Sequence, residues 1–485
     1  MRCDTILSGG RIVDGTGAPG MPGDVAIDGT RIVAIGDLAQ WQAGSRIDCT
    51  GRIVAPGFVD AHTHDDAALL EFPDMPMKTS QGVTTVVAGN CGVSVAPVAL
   101  PGHPPPPLDL LGGRATYRFP RFSDWRKALD AAPAAVNAIG MVGHSALRVQ
   151  AMDRLDRPAD ADETTAMAKL VAGAMEDGAL GLSTGLFYAP ARMAPTREVI
   201  DLARVAGQAG GIYATHLRDE GEFLEESVEE ALSIGRQAGA PVVLSHHKAA
   251  GMPWHGKTAR TIPLIDEARK SQRIALDVYP YVASSTVLTV ERLPAAMKVL
   301  ITWSKAIPAA NGRDLRELAD EHGLDVRAMA ERLQPAGAIY FAMSEDDVRR
   351  VIAWPESMIG SDGLPHDTFP HPRLWGTFPR VLGHYARDLG LLSLEEAIRK
   401  MTSLPARRFG LRGRGVLRKG AFADICVFDA ANVLDRADFA APKRPAAGIE
   451  RVFVNGTCVW EGGAPTGARP GRCLALDRDA LDYSG

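Results

Sequence analysis

Cysteine is sparse in this sequence: six residues, at positions 3, 49, 91, 426, 458 and 473, none of them in a CxxC pair. Thiols so scattered in a long chain exclude a disulfide scaffold and are expected to be reduced. Long apolar runs are also missing. The opening Met1-Arg-Cys-Asp-Thr-Ile-Leu-Ser-Gly-Gly is too short for a secretory signal, and no later run approaches the roughly 18 residues a membrane helix needs. No basic cluster exists, and a formal net charge of −5 argues against nucleic acid as a partner. The expectation is a soluble, cytoplasmic protein acting on a small molecule. With 485 residues, the chain is too long for one small core and calls for a large domain with a smaller one.

What is present centres on Gly57-Phe-Val-Asp-Ala-His-Thr-His-Asp-Asp66. His62 and His64 stand two residues apart at the end of a short apolar strand, so their side chains leave the pleat on one face and can share a ligand. The lead-in Gly51-Arg-Ile-Val-Ala-Pro-Gly57 reads as strand and turn, which places the pair where a first barrel strand begins. In this feature the sequence resembles the amidohydrolase superfamily, metal-dependent hydrolases on a (β/α)8 barrel.

The remaining segments agree with that architecture. Eight apolar strand candidates, 57–64, 83–90, 137–144, 179–186, 211–216, 241–246, 273–280 and 356–362, alternate with helical periodicity, clearest over 161–176 and 196–206. Eight strands are what a closed α/β TIM barrel requires. Both chain ends carry short alternating runs and Gly-rich turns, and they are expected to pair into one small β-sandwich outside the barrel. The expected divisions are 1–56 and 411–485 for the two parts of the sandwich and 57–410 for the barrel. Between the seventh and eighth strands the chain spends 75 residues, 281–355, where a helix with its loops needs about 20 to 30. An insertion at about 284–345 is therefore expected to serve as a lid or pocket element.

Barrel enzymes place chemistry at the carboxyl ends of the strands. Here those ends carry His62 and His64, Cys91, His216, His246 with Lys248, and Asp362. A thiolate with two imidazoles suits Zn2+, leaving a fourth position for water or substrate. Cys91, His216 and His246 are expected as the main zinc ligands, with His62, His64 and Asp362 forming a weaker neighbouring site or holding the reacting water. Strand four, Gly178-Ala-Leu-Gly-Leu-Ser-Thr-Gly-Leu-Phe-Tyr188, lacks the lysine that many superfamily members place there, and the cysteine is its natural substitute.

Gly89-Asn-Cys-Gly92, Thr215-His-Leu-Arg-Asp-Glu220, Ser245-His-His-Lys248, Ile359-Gly-Ser-Asp-Gly-Leu-Pro-His366 and His371-Pro-Arg-Leu-Trp-Gly-Thr-Phe378 together resemble the D-aminoacylase family, the N-acyl-D-amino-acid deacylases. The resemblance spans nearly the whole chain and implies hydrolysis of an N-acyl-D-amino acid to a carboxylate and a free D-amino acid. Asp362 is expected to take the water's proton and return it to the departing amine. Arg373 and Lys248 are expected to clamp the substrate's α-carboxylate, with Tyr279 and Ser285 adding hydroxyl donors. Phe187, Tyr340 and Met343 are expected to line the side-chain pocket and are apolar, as a pocket for D-Leu, D-Met or D-Phe would be; Arg292, inside the insertion, could instead reach a second carboxylate, which would favour N-acyl-D-glutamate. Two readings compete: a cyclic amidase of hydantoinase or dihydroorotase type, disfavoured by the missing lysine, and a barrel that serves as a non-catalytic scaffold.

Overall fold

The structure is a computed structural model and describes residues 1–483. Among these, eight parallel strands form a ring: Phe58–Asp60, Val83–Ala88, a third broken into Asn137–Gly140 and Val142–Gly143, Gly181–Gly185, Ile212–His216, Val242–Leu244, Ile274–Val278 and Ser357–Ile359. Each pairs in parallel with the next. The ring shuts where the Ala61 N–H donates to Ile359 O at 3.2 Å and the Asp362 N–H to His62 O at 2.8 Å. The expected α/β TIM barrel is thus present. Most of its strands are shorter than their apolar runs because the last residues of the run leave the ladder at the barrel mouth; the fifth keeps its final residue, His216, within the strand.

Val59, Val87, Ile139, Leu180, Val243 and Met358 belong to one buried cluster inside the ring, so the barrel is a packed core. The outer helices follow their expected periodicity. Ala161–Glu176 starts at a capping box in which Asp160 accepts from the Glu163 N–H and Glu163 accepts from the Asp160 N–H, both at 2.9 Å. It buries Met167, Val171, Ala174 and Met175, a stripe at helical spacing. Thr196–Gln208 buries Val199, Leu202, Ala203 and Ala206 in the same manner.

The two chain ends meet in one nine-stranded sheet. N-terminal strand Ile53–Pro56 pairs antiparallel with C-terminal strand Ile425–Phe428, which joins the halves. The sheet curls until Thr30 and Ile32 exchange backbone hydrogen bonds with Gly420, Ala421 and Ala423, enclosing Leu7, Val25, Ile27, Ile425 and Phe453 as a second core. This is the β-sandwich expected from both termini. The final stretch, 470–483, does not continue it: Leu474 N–H donates to Ala138 O at 2.7 Å, and Leu474, Leu476, Leu481 and Tyr483 pack on the barrel's interior cluster. Their apolar side chains cover the end of the barrel opposite the catalytic face.

After the seventh strand the chain builds a separate small module. Strands Ala283–Val287 and Lys298–Ser304 flank Ala336–Phe341 in an antiparallel sheet, and helices Leu315–His322 and Val326–Leu333 pack on it through Ile301, Leu318, Met329, Leu333 and Tyr340. A shorter excursion follows the second strand, where Val98–Ala99 pairs with Arg118–Phe119. Val287 and Trp303 of the module and Leu110 of the excursion meet Cys91, Phe187 and Tyr188 in one apolar cluster at the mouth. Among the described residues, no helix is long and apolar enough to cross a membrane.

Under the mouth, Lys78 Nζ lies 2.8 Å from Asp60 Oδ2, 3.1 Å from Asp65 Oδ2 and 2.9 Å from Ser361 Oγ, all fully buried. The ammonium ties the first strand, the helix Pro76–Thr79 and the eighth strand's end together. Removing one partner of such a group strands an uncompensated buried charge. Lys78→Met is expected to destabilise the fold by about 3–5 kcal/mol in equilibrium denaturation; a loss below about 1 kcal/mol contradicts this assignment.

Candidate active site

Cys91, at the end of the second strand, stands at the centre of the mouth. Its Sγ lies 3.2 Å from His62 Nε2 and 3.3 Å from His246 Nε2. His62, Cys91, His246 and Asp362 offer four buried donor atoms within 4.8 Å of one another, and His216, Glu220 and His246 form a second such group. The structure therefore brings His62 to Cys91 as closely as His246, and the two expected ligand sets are interleaved, with His246 common to both groups. His64 Nε2 is 3.2 Å from Asp362 Oδ1. Both ring nitrogens of buried His216 lack a hydrogen-bond partner among the described residues. Orphaned imidazole nitrogens beside a thiol are what a metal-binding set looks like.

Close backbone approach carries the Cys91 turn onto the fourth strand. Gly92, at φ 74°, packs on strand four, where a Cβ would meet Gly185 N at 2.7 Å. A Cβ on Gly185 would meet Cys91 O at 2.2 Å. Ser183 Oγ fastens the turn, donating to Gly89 O at 2.5 Å and accepting from the Gly92 N–H at 3.1 Å. Cys91 thus leans over the end of strand four.

The candidate metal ligands are held from behind. Asp277 Oδ1 accepts from the His246 N–H at 2.9 Å, and its carboxylate lies 3.2 Å from His62 Nδ1, which leaves His62 Nε2 to face Cys91. His247, next in sequence to His246, points the other way onto Thr261 Oγ1 at 2.7 Å; burial lowers its pKa to about 4 and keeps it neutral. Burial raises the Cys91 pKa, but His62 and His246 outweigh it and hold the thiol well below its ordinary range. Burial also opposes ionisation of Asp362, yet Arg373 and His62 keep this carboxyl well below the usual carboxylate range.

Beside Asp362, Arg373 is fully buried, with Nη1 2.9 Å from Asp362 Oδ2, Nη2 donating to Ser285 O at 3.1 Å and its guanidinium 4.5 Å over the Tyr279 ring. Its Nε, the Arg292 Nε and Ser285 Oγ are buried without hydrogen-bond partners among the described residues. Lys248 Nζ lies 2.5 Å from Glu220 Oε1 and 2.7 Å from His246 Nδ1. Arg292 stacks 4.2 Å over Phe187 and 5.7 Å from the Tyr340 ring, with Nη2 3.9 Å from Glu220 Oε2. Tyr340 also belongs to the module's own core, while Met343 sits behind Tyr279, whose hydroxyl faces its sulfur at 3.8 Å.

Three buried acids escaped sequence reasoning: Asp60, Asp277 and Glu220. A charged residue inside an apolar strand was the available signal for the first two; Glu220 stood inside a quoted motif without a role.

A model of the amidohydrolase family matches residues 46–255 and 305–460. The chain is 55% identical to a D-aminoacylase of Alcaligenes xylosoxydans xylosoxydans over 97% of both sequences. From the same organism, an N-acyl-D-aspartate deacylase is 50% identical over 100% of this chain and 97% of the relative, and an N-acyl-D-glutamate deacylase 48% over 98% and 97%. Among solved structures, a D-aminoacylase described as having a binuclear metal centre superposes with a TM-score of 0.96 at 54% identity, over 98% of this chain and 100% of that one. An N-acyl-D-glutamate deacylase of Bordetella bronchiseptica, complexed with zinc and a phosphonate inhibitor, gives 0.95 at 46% identity over 98% and 100%. The chain belongs to the amidohydrolase family, and within it to the D-aminoacylases and N-acyl-D-amino-acid deacylases.

Because a side chain at 185 would collide with the Cys91 carbonyl, Gly185→Ala must push the cysteine turn outward. Displacing a reacting group by about 1 Å costs up to about 10²-fold. A fall of that order in hydrolytic kcat/KM is expected, with the fold intact by circular dichroism; unchanged kcat/KM refutes the packing argument.

Proposed function

We propose that this protein hydrolyses N-acyl-D-amino acids with zinc held at the barrel mouth, and that it prefers N-acyl-D-glutamate. The donor set fits zinc on its own chemistry: a thiol held towards thiolate, imidazoles with unpartnered nitrogens and one carboxylate. Cys91, His216 and His246 would hold the main ion, and His62, His64 and Asp362 a weaker second one. Zinc supplies Lewis acidity to the amide carbonyl and to water. The relative of known structure that was complexed with zinc supports this reading.

The chain's own residues do the rest. Asp362 Oδ1, facing His64, accepts the proton of the attacking water and returns it to the amine nitrogen as the amide bond breaks. Arg373 and Lys248 hold the α-carboxylate, and Tyr279 and the unpartnered Ser285 hydroxyl line the same wall. Fixing that carboxylate and the carbonyl together leaves one side for the substituent, which is how a site reads D rather than L configuration. Strand four ends without a lysine, and near full-length similarity to deacylases of linear amides favours this function over the cyclic amidase and the scaffold.

Arg292 carries the preference for glutamate. It is a cation with 15% side-chain exposure, laid over Phe187 with its Nε unpartnered, at the place where a side-chain carboxylate would end. A charge-assisted contact of about 1.5–3 kcal/mol corresponds to about 10- to 150-fold in specificity. A panel of N-acetyl D- and L-amino acids is expected to show turnover confined to D-substrates with glutamate leading. Arg292→Met is expected to lower kcat/KM for N-acetyl-D-glutamate by at least about tenfold more than for N-acetyl-D-methionine. Equal losses would remove Arg292 from specificity, and turnover of L-substrates alone would end the deacylase reading.

A further inference from the structure

Glu220 is buried to 6% exposure in the loop after the fifth strand, between the metal-side and substrate-side groups. Its Oε1 lies 2.5 Å from Lys248 Nζ and 3.1 Å from His246 Nδ1. Its Oε2 lies 3.7 Å from His216 Nε2 and 3.9 Å from Arg292 Nη2 and accepts no hydrogen bond among the described residues. One carboxylate therefore serves the two cations assigned to the substrate and both histidines of the fifth and sixth strand ends.

We propose that Glu220 is a specificity-determining residue, the counter-charge that cancels one of the two positive charges Lys248 and Arg292 present to the substrate. The inference rests on the assignment of those two cations to the substrate. With Glu220 in place the pair carries a net charge of one, enough for the α-carboxylate or for a side-chain carboxylate but not in excess for both. That balance lets the pocket admit an uncharged D-side chain without leaving two bare cations desolvated against it. It also opposes a second carboxylate, because Glu220 Oε2 faces Arg292, the group that would receive it. Glu220 thus tempers the acidic preference that Arg292 creates. Its contact with His246 Nδ1 makes it a positioning residue for that imidazole as well, since it sets which ring nitrogen faces Cys91.

A purely structural role predicts equal losses on every substrate, whereas a counter-charge predicts a change in their ratio. The test compares zinc-loaded wild type, Glu220→Gln, Glu220→Asp and Arg292→Met on N-acetyl-D-glutamate and N-acetyl-D-methionine. Calorimetric dissociation constants for the products D-glutamate and D-methionine supply a readout independent of turnover. Glu220→Gln is expected to raise the glutamate-to-methionine ratio of kcat/KM roughly tenfold, mainly through KM, while absolute rates fall. Glu220→Asp, which withdraws the charge by one methylene, is expected to raise it roughly threefold, and it decides the matter alone if the Gln variant does not fold. The product dissociation constants should move in the same order. A ratio that stays constant or falls in both Glu220 variants, while Arg292→Met lowers it, overturns the counter-charge alone. If Arg292→Met also leaves the ratio unchanged, the assignment of Arg292 and the inference fall together.

Discussion

Cys91, His246 and Asp362 reach one another across the barrel mouth because the backbone turns left-handed at all three, with φ of 53°, 37° and 49°. Only two other non-glycine residues among those described, Met75 and Asn455, share that conformation. A strand that continued extended would carry each side chain past the opening; a left-handed residue at its end folds the side chain back over the axis. Each such residue costs about 1–3 kcal/mol and persists only where its surroundings over-determine it. They do so here. Ser183 clamps the Cys91 turn, Asp277 accepts the His246 N–H, and the His62 carbonyl accepts the Asp362 N–H.

The charges of the site are arranged with equal economy. Arg373 meets Asp362, Lys248 meets Glu220, and His62 meets Asp277, so the buried groups face partners of opposite sign. This pairing keeps Asp362 ionised, as a proton acceptor must be, despite full burial. The partly unmatched donors, Arg292 Nε, Arg373 Nε and Ser285 Oγ, lie where the reading above places the substrate's carboxylates. A site fully satisfied within itself would have little to offer an anion.

Much of this was legible in the sequence because barrel geometry converts spacing into position. Period-two placement puts His62 and His64 on one face, and an apolar run ending in Cys, His or Asp marks the catalytic end of a strand. The β-sandwich was legible from alternating runs at both termini. Ionic partners were not: Asp60 lies 18 residues from Lys78 and His62 lies 215 from Asp277, separations that carry no periodic signal. Adjacent His246 and His247 look alike in sequence, but the second turns away from the mouth to hydrogen-bond with Thr261. The excursion over 92–121 has almost no regular pairing beyond two residues a side, so no alternation announced it. The terminal stretch 470–483 was included with the sandwich, but its apolar residues pack against the barrel floor instead.

In the function proposed above, one cysteine at the end of the second strand takes the place of a strand-four lysine and holds the catalytic metal. X-ray absorption at the zinc edge of the purified, zinc-loaded protein tests it without recourse to activity. The account predicts one sulfur scatterer at about 2.3 Å together with nitrogen or oxygen neighbours at about 2.0–2.1 Å, the sulfur contribution vanishing in Cys91→Ala. A first shell of nitrogen and oxygen alone in the wild-type protein would contradict it.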